Sequence, residues 1–170
     1  MPTETVHLEG LRGTLDMLKR LPPELVSKSG GPVKLALKKA AEVLRDAARA
    51  NVQRIIDEPN LDEQASKSTG LLKKSIVAAR GKMPPGLKGE RYSVRIRKNQ
   101  KYPETRGKGL TAVQIGRQLE EGTERRDPKP WLRPAFDEKK GAAVDTFVSE
   151  VNRRGQALID KLDREAKAKG

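Results

Sequence analysis

A run of apolar residues at helical spacing is the feature that most constrains how this chain folds. The run follows steps of four and three residues: Val33, Leu37, Ala41, Leu44, Ala48, Val52 and Ile55. This spacing predicts one apolar face on a helix of about six turns. Pro32 suits the first helical position, and Pro59 closes the helix. The alanines on this face let another layer of the fold approach closely.

A second long helix is predicted to begin at Pro134, after a proline-punctuated approach. Its predicted buried side comprises Phe136, Ala143, Phe147, Val151, Leu158 and Leu162. Gly141 and Gly155 weaken this helix locally. The charged tail, Arg164–Gly170, is expected to fray.

Between the two long helices the pattern changes to alternation. Tyr92, Val94 and Ile96 alternate with polar or basic residues, which predicts a strand with one apolar and one basic face. A second extended segment is predicted at Ile76–Ala79, and a short helix at Val113–Leu119. The prediction is a single α+β domain over residues 1–170, with two long amphipathic helices packed on one face of a small antiparallel sheet and with long basic loops.

The N-terminal region predicts smaller elements. Val6–Leu8 is an extended candidate, and Leu11, Leu15 and Leu18 have the spacing of a short amphipathic helix. Pro22 and Pro23 end that helix. The segment Ser27–Gly31 is predicted to be a flexible joint.

Composition limits the size of the core and the chemistry available. Hydrophobic residues make up 35% of the chain, charged residues another 35% and aromatics 3%, so the core is aliphatic and some faces are expected to be buried only on assembly. The chain has no cysteine, which excludes a disulfide framework and a thiolate metal site. No apolar run approaches the roughly 20 residues of a membrane span, and the N-terminus lacks the pattern of a signal peptide. We therefore expect a soluble protein without membrane contact.

Positive charge is concentrated in one segment. The formal net charge is +13, and between Arg80 and Gly109 ten Lys and Arg residues stand against two Glu, a net +8. This segment is predicted to be a basic loop and strand arm, whose cations contact either DNA or an acidic protein partner. The predicted contact residues are Arg80, Lys82, Lys88, Arg91, Arg95, Arg97, Lys98, Lys101, Arg106 and Lys108. Contact with DNA would be electrostatic and indifferent to sequence.

Residue patterns for catalysis are missing from the sequence. His7 is the only histidine. A catalytic triad would have to use it, but it lies near the terminus before any core element, and a lone histidine does not give the spacing of a metal site. Glu120 and Glu121 are adjacent on a helix and diverge by about 100°, so they do not converge on one substrate atom. We predict no enzyme activity and no cofactor.

Three short motifs, in order, resemble a known family. They are Thr69–Ile76 (TGLLKKSI), Glu120–Thr123 (EEGT) and Pro130–Asp137 (PWLRPAFD). With the N-terminal pattern and the Ala-rich long helix, they resemble the phage neck or tail-completion family named after gene product ten of a lambdoid coliphage, over about residues 6–150. Trp131 replaces the family's usual Phe in the last motif, and Glu121 replaces Phe in the second.

The resemblance implies a structural virion protein of a tailed phage, assembled in the host cytoplasm. Such a subunit forms a homo-oligomeric ring, six-fold by the symmetry of tails, in the neck between head and tail. Its partners would be the head-closure or connector protein and the tail terminator or tail tube, with non-specific contact to packaged DNA. Two alternatives are a stand-alone basic nucleic-acid-binding protein and a packaging hydrolase, and the lack of a catalytic constellation argues against the second.

The motif residues themselves are interpreted as structural. Gly122 takes a positive φ to end a helix. Pro130 and Pro134 stiffen the approach to the last helix, while Trp131 and Phe136 anchor it on the sheet. Arg133 either pairs with Glu120 or a neighbouring subunit, or is solvated. The full motif set is Thr69, Gly70, Leu71, Glu120, Gly122, Thr123, Pro130, Trp131, Leu132, Arg133, Pro134 and Phe136.

Overall fold

The computed structural model describes Asp16, Lys19 and residues 31–58, 70–86, 89–102 and 109–168. The predictions for Val6–Leu8, for the helix at Leu11–Leu18 and for the joint before Gly31 lie outside these residues. So do His7, Thr69, Lys88, Arg106 and Lys108. The predicted organisation as one domain with a basic arm at residues 80–109 stays a prediction.

Four helices and two strands make up the named elements of the described chain. In order they are α1 (Pro32–Asp57), α2 (Leu71–Ser75), β1 (Ile76–Gly81), β2 (Arg91–Ile96), α3 (Ala112–Glu121) and α4 (Leu132–Lys167). The two strands form one antiparallel sheet. The architecture is α+β with two long helices, as predicted.

Helix α1 has the bounds that its apolar stripe predicts, beginning at Pro32 and ending at Asp57. Its buried face includes the predicted Ala48 and Val52, but also Ala36 and the polar Asn51. The Asn51 side-chain amide donates a hydrogen bond to the Trp131 carbonyl at 3.0 Å. A polar group therefore sits within the apolar face and is satisfied by the start of α4.

The layers differ from the predicted packing of both long helices on the sheet. Helix α1 contacts both strands on one side and runs along α4 on the other, so it lies between the sheet and α4. The two helices are antiparallel, because the end of α1 meets the start of α4, where Lys129 pairs with Glu58 at 2.7 Å. Small side chains such as Ala36 and Ala48, both 0% exposed, let α1 be covered from two sides.

The register of the sheet assigns each strand residue to a face. Cross-strand partners share a face, and Ile76, Ile96 and Val94 contact the hydrophobic core beneath α1. The opposite, outer face carries the remaining pairs, Val77 with Arg95, Ala79 with Ser93 and Gly81 with Arg91. The predicted strand with one apolar and one basic face is thus present in β2.

Within the basic segment, the chain on either side of residues 103–108 is paired. Lys101 forms a bridge with Thr111, and the Tyr102 N–H donates to the Leu110 carbonyl at 2.8 Å. The Tyr102 hydroxyl accepts a hydrogen bond from the Leu72 N–H at 3.2 Å, at the start of α2. The chain on either side is therefore held against α2 and α3, whereas residues 103–108 lie outside the description.

Helix α4 begins at Leu132, two residues before the predicted start, and continues through both of its glycines to Lys167. Ala143 and Val151 are buried as predicted. Phe136 is 53% exposed, so its prediction as a buried anchor is wrong. Ala135 takes the core position instead, and the next residue points about 100° away from it around the helix.

Candidate functional site: the helix junction and the basic segment

Trp131 lies at the centre of the junction between α3 and α4. It is 3% exposed and packs in one cluster with Ile76, Leu72 and Val52. Its indole Nε1 donates a hydrogen bond to the Gly116 carbonyl at 2.9 Å. The large ring therefore joins the start of α4 to α3 and to the sheet, with its one polar atom satisfied. The predicted role of Trp131 as an anchor is confirmed by this packing.

Gly116 lets α3 approach β2. A Cβ at this position would overlap the Cδ1 of Ile96 and meet a methyl of Leu72 at 3.1 Å. Gly116 is buried, and its carbonyl is the partner of the Trp131 indole. Any larger residue here forces α3 away from the strand or displaces the core side chains.

Glu120 holds the first turn of α4. Its carboxylate accepts hydrogen bonds from the N–H groups of Trp131 (2.8 Å), Leu132 (2.8 Å) and Arg133 (3.0 Å). These are groups at a helix start that have no partner within the helix, and an anion is favoured there. Partial burial opposes the charged form, but the three N–H groups outweigh it and hold the pKa of Glu120 below its ordinary value.

The two neighbouring glutamates diverge, as the sequence predicts. Glu121 accepts a hydrogen bond from Arg117 at 2.8 Å on the exposed side of α3. Arg133 lies 3.9 Å from Glu120, and its side chain is 79% exposed. Arg133 is therefore a mostly solvated side chain with a loose ion pair, and its backbone N–H makes the closer contact.

Two motif glycines have a positive φ. Gly122 ends α3 with φ of 78°, as predicted, and a Cβ there would lie 3.0 Å from the Pro128 nitrogen. Gly70 precedes α2 with φ of 66°. Both positions favour glycine because side chains strain this region of backbone space. Thr123 lies beyond Gly122 and bridges to Arg126.

Arg49 joins α1 to the sheet. Its guanidinium donates two hydrogen bonds to the Ile76 carbonyl, at 3.1 Å from Nε and 2.7 Å from Nη2. This carbonyl belongs to the first residue of β1. The bond ties the central helix to the start of the strand through a charged donor.

The basic segment divides into one paired arginine and several solvent-exposed cations. Arg80 pairs with Glu90 through two hydrogen bonds, at 2.8 and 2.6 Å. The exposed cations are Lys82, Arg91, Arg95, Arg97, Lys98 and Lys101. None of these six pairs with a carboxylate of the residues that the structure describes.

The outer face of the sheet bears an open groove with a small apolar floor. The groove has a volume of about 510 Å³ and is lined by Val77, Ala78, Ala79, Arg95, Arg97 and Lys98. At the other end of this face, the Arg91 side chain lies over Gly81. A Cβ on Gly81 would be 3.5 Å from the Arg91 side chain. The surface combines a short apolar strip with a cationic rim.

The described residues hold no group of three or more His, Cys, Asp or Glu side chains arranged to bind a metal ion. Among the helices described above, none is both long and apolar enough to cross a membrane.

Comparison with known families identifies a match over the first three of the helices. Residues 28–122 match the family described as "Bacteriophage HK97-gp10, putative tail-component". The match covers more than half of the 170 residues, from the approach to α1 through the end of α3. The chain therefore belongs to this phage tail-component family. Comparisons with curated proteins and with solved structures each found no match.

The matched range includes the basic segment and ends at Gly122, before the PWLRPAFD motif. The match therefore supports the resemblance to a phage structural family independently of the PWLRPAFD motif. Trp131 and the whole of α4 lie beyond the match.

Sequence patterns did not predict what three residues do in these sites. The sequence predicts Glu120 as a structural motif residue that could pair with Arg133. Its contact with the start of α4 gives no local signal, because the carboxylate lies 11 residues before the first of the N–H groups that it binds. Asn51 stands beside Val52 on the predicted apolar face, and a polar residue at such a place signals a buried hydrogen bond. Arg49 gives no comparable signal, because its partner is a backbone carbonyl distant in sequence.

Proposed function

We propose that this protein is a neck or tail-completion subunit of a tailed phage, residing in the virion and joining the head connector to the tail. The observation that carries the proposal is membership of a phage tail-component family. The EEGT and PWLRPAFD motifs add to it, because they resemble neck and completion proteins. Motif residues at the junction, such as Trp131 and Glu120, pack the helices together, which agrees with a structural role.

A ring of copies is the assembly we propose, six-fold to match the tail. A closed ring requires heterologous contacts between two different surfaces of each copy. The chain offers separate exposed surfaces for this purpose, such as the outer face of the sheet and the side of α4 that carries Phe136, 53% exposed. Burial of these surfaces on assembly suits a chain with 35% hydrophobic residues.

The exposed cations of the basic segment are proposed to face the DNA channel or an adjacent ring. Their charge is unpaired among the described residues, and a backbone of phosphates or a carboxylate-rich protein surface would neutralise it. No aromatic side chain lies on the outer face of the sheet, where bases would stack. DNA contact at this segment would then be sensitive to salt and independent of sequence.

The deciding experiment is electron microscopy of particles made without this protein. A neck or completion subunit leaves full heads and finished tails that do not join, and adding the purified protein restores joined particles. Normal joined virions in its absence would overturn the proposal. Cross-linked copy number in purified virions then tests the six-fold ring, because a copy number that is not a multiple of six contradicts it.

The alternative function is a stand-alone nucleic-acid-binding protein, which the exposed cations favour. The two functions predict different behaviour of the purified protein. A monomer that binds duplex DNA with sub-micromolar affinity at physiological salt supports the alternative. An oligomer with weak, salt-sensitive DNA binding supports the neck subunit.

A further inference from the structure

The hydrogen-bond pattern of the sheet identifies which backbone groups are used between the strands and which point outward. The Arg97 N–H donates to the Ser75 carbonyl at 2.8 Å, which makes these two opposed residues a hydrogen-bonded pair. Because such pairs alternate along an antiparallel ladder, Arg95 and Ser93 also bond to β1. The N–H and C=O groups of Tyr92 and Val94 therefore point away from β1, toward the other edge of β2.

The two edges of the sheet differ at one carbonyl, since the outward backbone groups of Ala78 and Arg80 on β1 also have no hydrogen bond with a described residue outside the sheet. On β1, the outward carbonyl of Ile76 is occupied by the Arg49 guanidinium. On β2, no hydrogen bond from a described residue reaches the outward groups of Tyr92 and Val94. Both residues are partly exposed. The edge of β2 thus offers two donors and two acceptors in the geometry that an added strand requires.

The side chains of β2 restrict which strand can be added. Arg91 and Arg95 lie on the outer face and are exposed, while Tyr92 and Val94 lie on the inner face. A second copy of β2 would bring arginines beside arginines, which disfavours pairing between identical edges. A strand with carboxylates on its outer face would pair with the arginines of β2, and apolar residues on its inner face would lie beside Tyr92 and Val94.

We infer that the edge of β2 binds an extended segment of a neighbouring virion protein in which acidic residues alternate with apolar ones. The segment adds a third strand, its backbone bonding to Tyr92 and Val94 and its carboxylates pairing with Arg91 and Arg95. The inference deepens the proposed function, since it names the chemistry of a partner at the basic segment. Phosphates also neutralise arginines, but a DNA duplex does not continue the backbone ladder.

The first test uses the full-length protein and a synthetic peptide of alternating Glu and Val. A control peptide of the same composition has its Glu and Val residues in two blocks, which keeps the charge but removes the two-faced strand. Fluorescence anisotropy is expected to show roughly tenfold tighter binding of the alternating peptide, the equivalent of about one hydrogen-bonded charge pair. Equal binding of the two peptides would overturn the inference.

Amide hydrogen exchange reports the contact at single residues. On addition of the alternating peptide, the amides of Tyr92 and Val94 are expected to slow by about tenfold or more, because they gain acceptors. The amides of Ser93 and Arg95 already bond to β1 and serve as internal references. Unchanged exchange at Tyr92 and Val94 with the peptide bound would show that binding is only electrostatic and would refute strand addition.

Charge variants complete the test. The double substitution Arg91→Glu and Arg95→Glu is expected to weaken peptide binding at least roughly tenfold. The matched control, Arg125→Glu with Lys139→Glu, makes the same charge change at exposed residues elsewhere and is expected to alter binding about twofold or less. Equal losses in both variants would refute a site at β2. Duplex DNA that binds more tightly than the peptide and protects neither amide would also overturn it.

These measurements are independent of the proposed function. Particles that fail to join without the protein, together with a failed peptide test, would leave the neck role standing and remove strand addition at β2. If the protein binds the peptide but virions are normal without it, strand addition at β2 would stand and the neck role would be removed.

Discussion

The junction around Trp131 and the edge of β2 differ in whether their polar groups have partners among the described residues. At the junction, the Glu120 carboxylate receives three backbone N–H groups, and the Trp131 indole finds the Gly116 carbonyl. At β2, outward backbone groups and exposed arginines have no partner among the described residues. The first region is complete within the chain. The second is the surface at which we propose contact with a partner.

This contrast predicts that the two regions respond differently to substitution. Changes at the junction should lower the free energy of unfolding, because they leave buried groups without partners or packing. Changes on the outer face of β2 should leave stability almost unaltered and act on assembly. The predictions below test this division, beginning with the largest expected effect.

Trp131→Ala is expected to be the most damaging change. It removes a side chain that is 3% exposed and leaves a cavity beside Ile76, which typically costs about 3–5 kcal/mol. Trp131→Phe keeps an aromatic ring and loses the bond to Gly116, so it should cost much less. Urea denaturation followed by circular dichroism measures both. Equal stability of Trp131→Ala and the native protein would contradict the packing described.

Gly116→Ala tests the close approach of α3 to β2. The added methyl overlaps Ile96, and overpacking of this kind costs about 1–3 kcal/mol. Gly141→Ala is the matched control, because a Cβ there meets nothing within 4 Å in the middle of α4. That control should gain up to about 1 kcal/mol from helix propensity. Thermal unfolding of the two variants should therefore shift in opposite directions.

Glu120→Gln weakens the cap of α4 and is expected to cost about 1 kcal/mol at neutral pH. The pKa of Glu120 is lower in the folded chain than in the unfolded one, so its stabilisation is present above the unfolded pKa. It is lost as the pH falls through the folded pKa, in the acid range below about pH 4.5. The stability difference between native protein and variant should therefore shrink there. A difference that stays constant down to low pH would contradict the role of the charge.

Arg91→Glu with Arg95→Glu should have the smallest effect on folding. Both side chains are exposed and unpaired among the described residues, so the free energy of unfolding should change by less than about 0.5 kcal/mol. Native mass spectrometry and head–tail joining assays should show the effect instead. A large loss of stability would show that the basic segment serves the fold, against the division drawn above.

Periodicity predicted the elements better than it predicted their packing. The stripe from Val33 to Ile55 placed α1 to within two residues, and the alternation around Val94 placed β2. Both patterns reflect burial of one face, which is a local property of the sequence. The order of layers depends on which elements meet, so the position of α1 between the sheet and α4 was not predictable from its own residues.

Phe136 shows where periodicity fails near an element's end. The same spacing that includes Ala143 and Val151 includes Phe136, but the first turn of α4 is oriented by Trp131 and Glu120. Those contacts link residues distant in sequence and select Ala135 for the core. In α3, likewise, the core position is held by the small Ala112, while its neighbour Val113 is 42% exposed. For the functional surface, the sequence identified the basic segment, while the open edge of β2 required the hydrogen-bond register.

Arg49 and Asn51 lie two residues apart on α1 and point to opposite sides of it, about 200° around the helix. Arg49 holds a carbonyl of the sheet, and Asn51 holds a carbonyl at the start of α4. Sliding of the sheet or of α4 along α1 would break one of these bonds, so the two outer layers are fixed lengthwise through the central helix. In the proposed ring, a load applied at the sheet would therefore reach α4 through these two bonds as well as through the packing around α1.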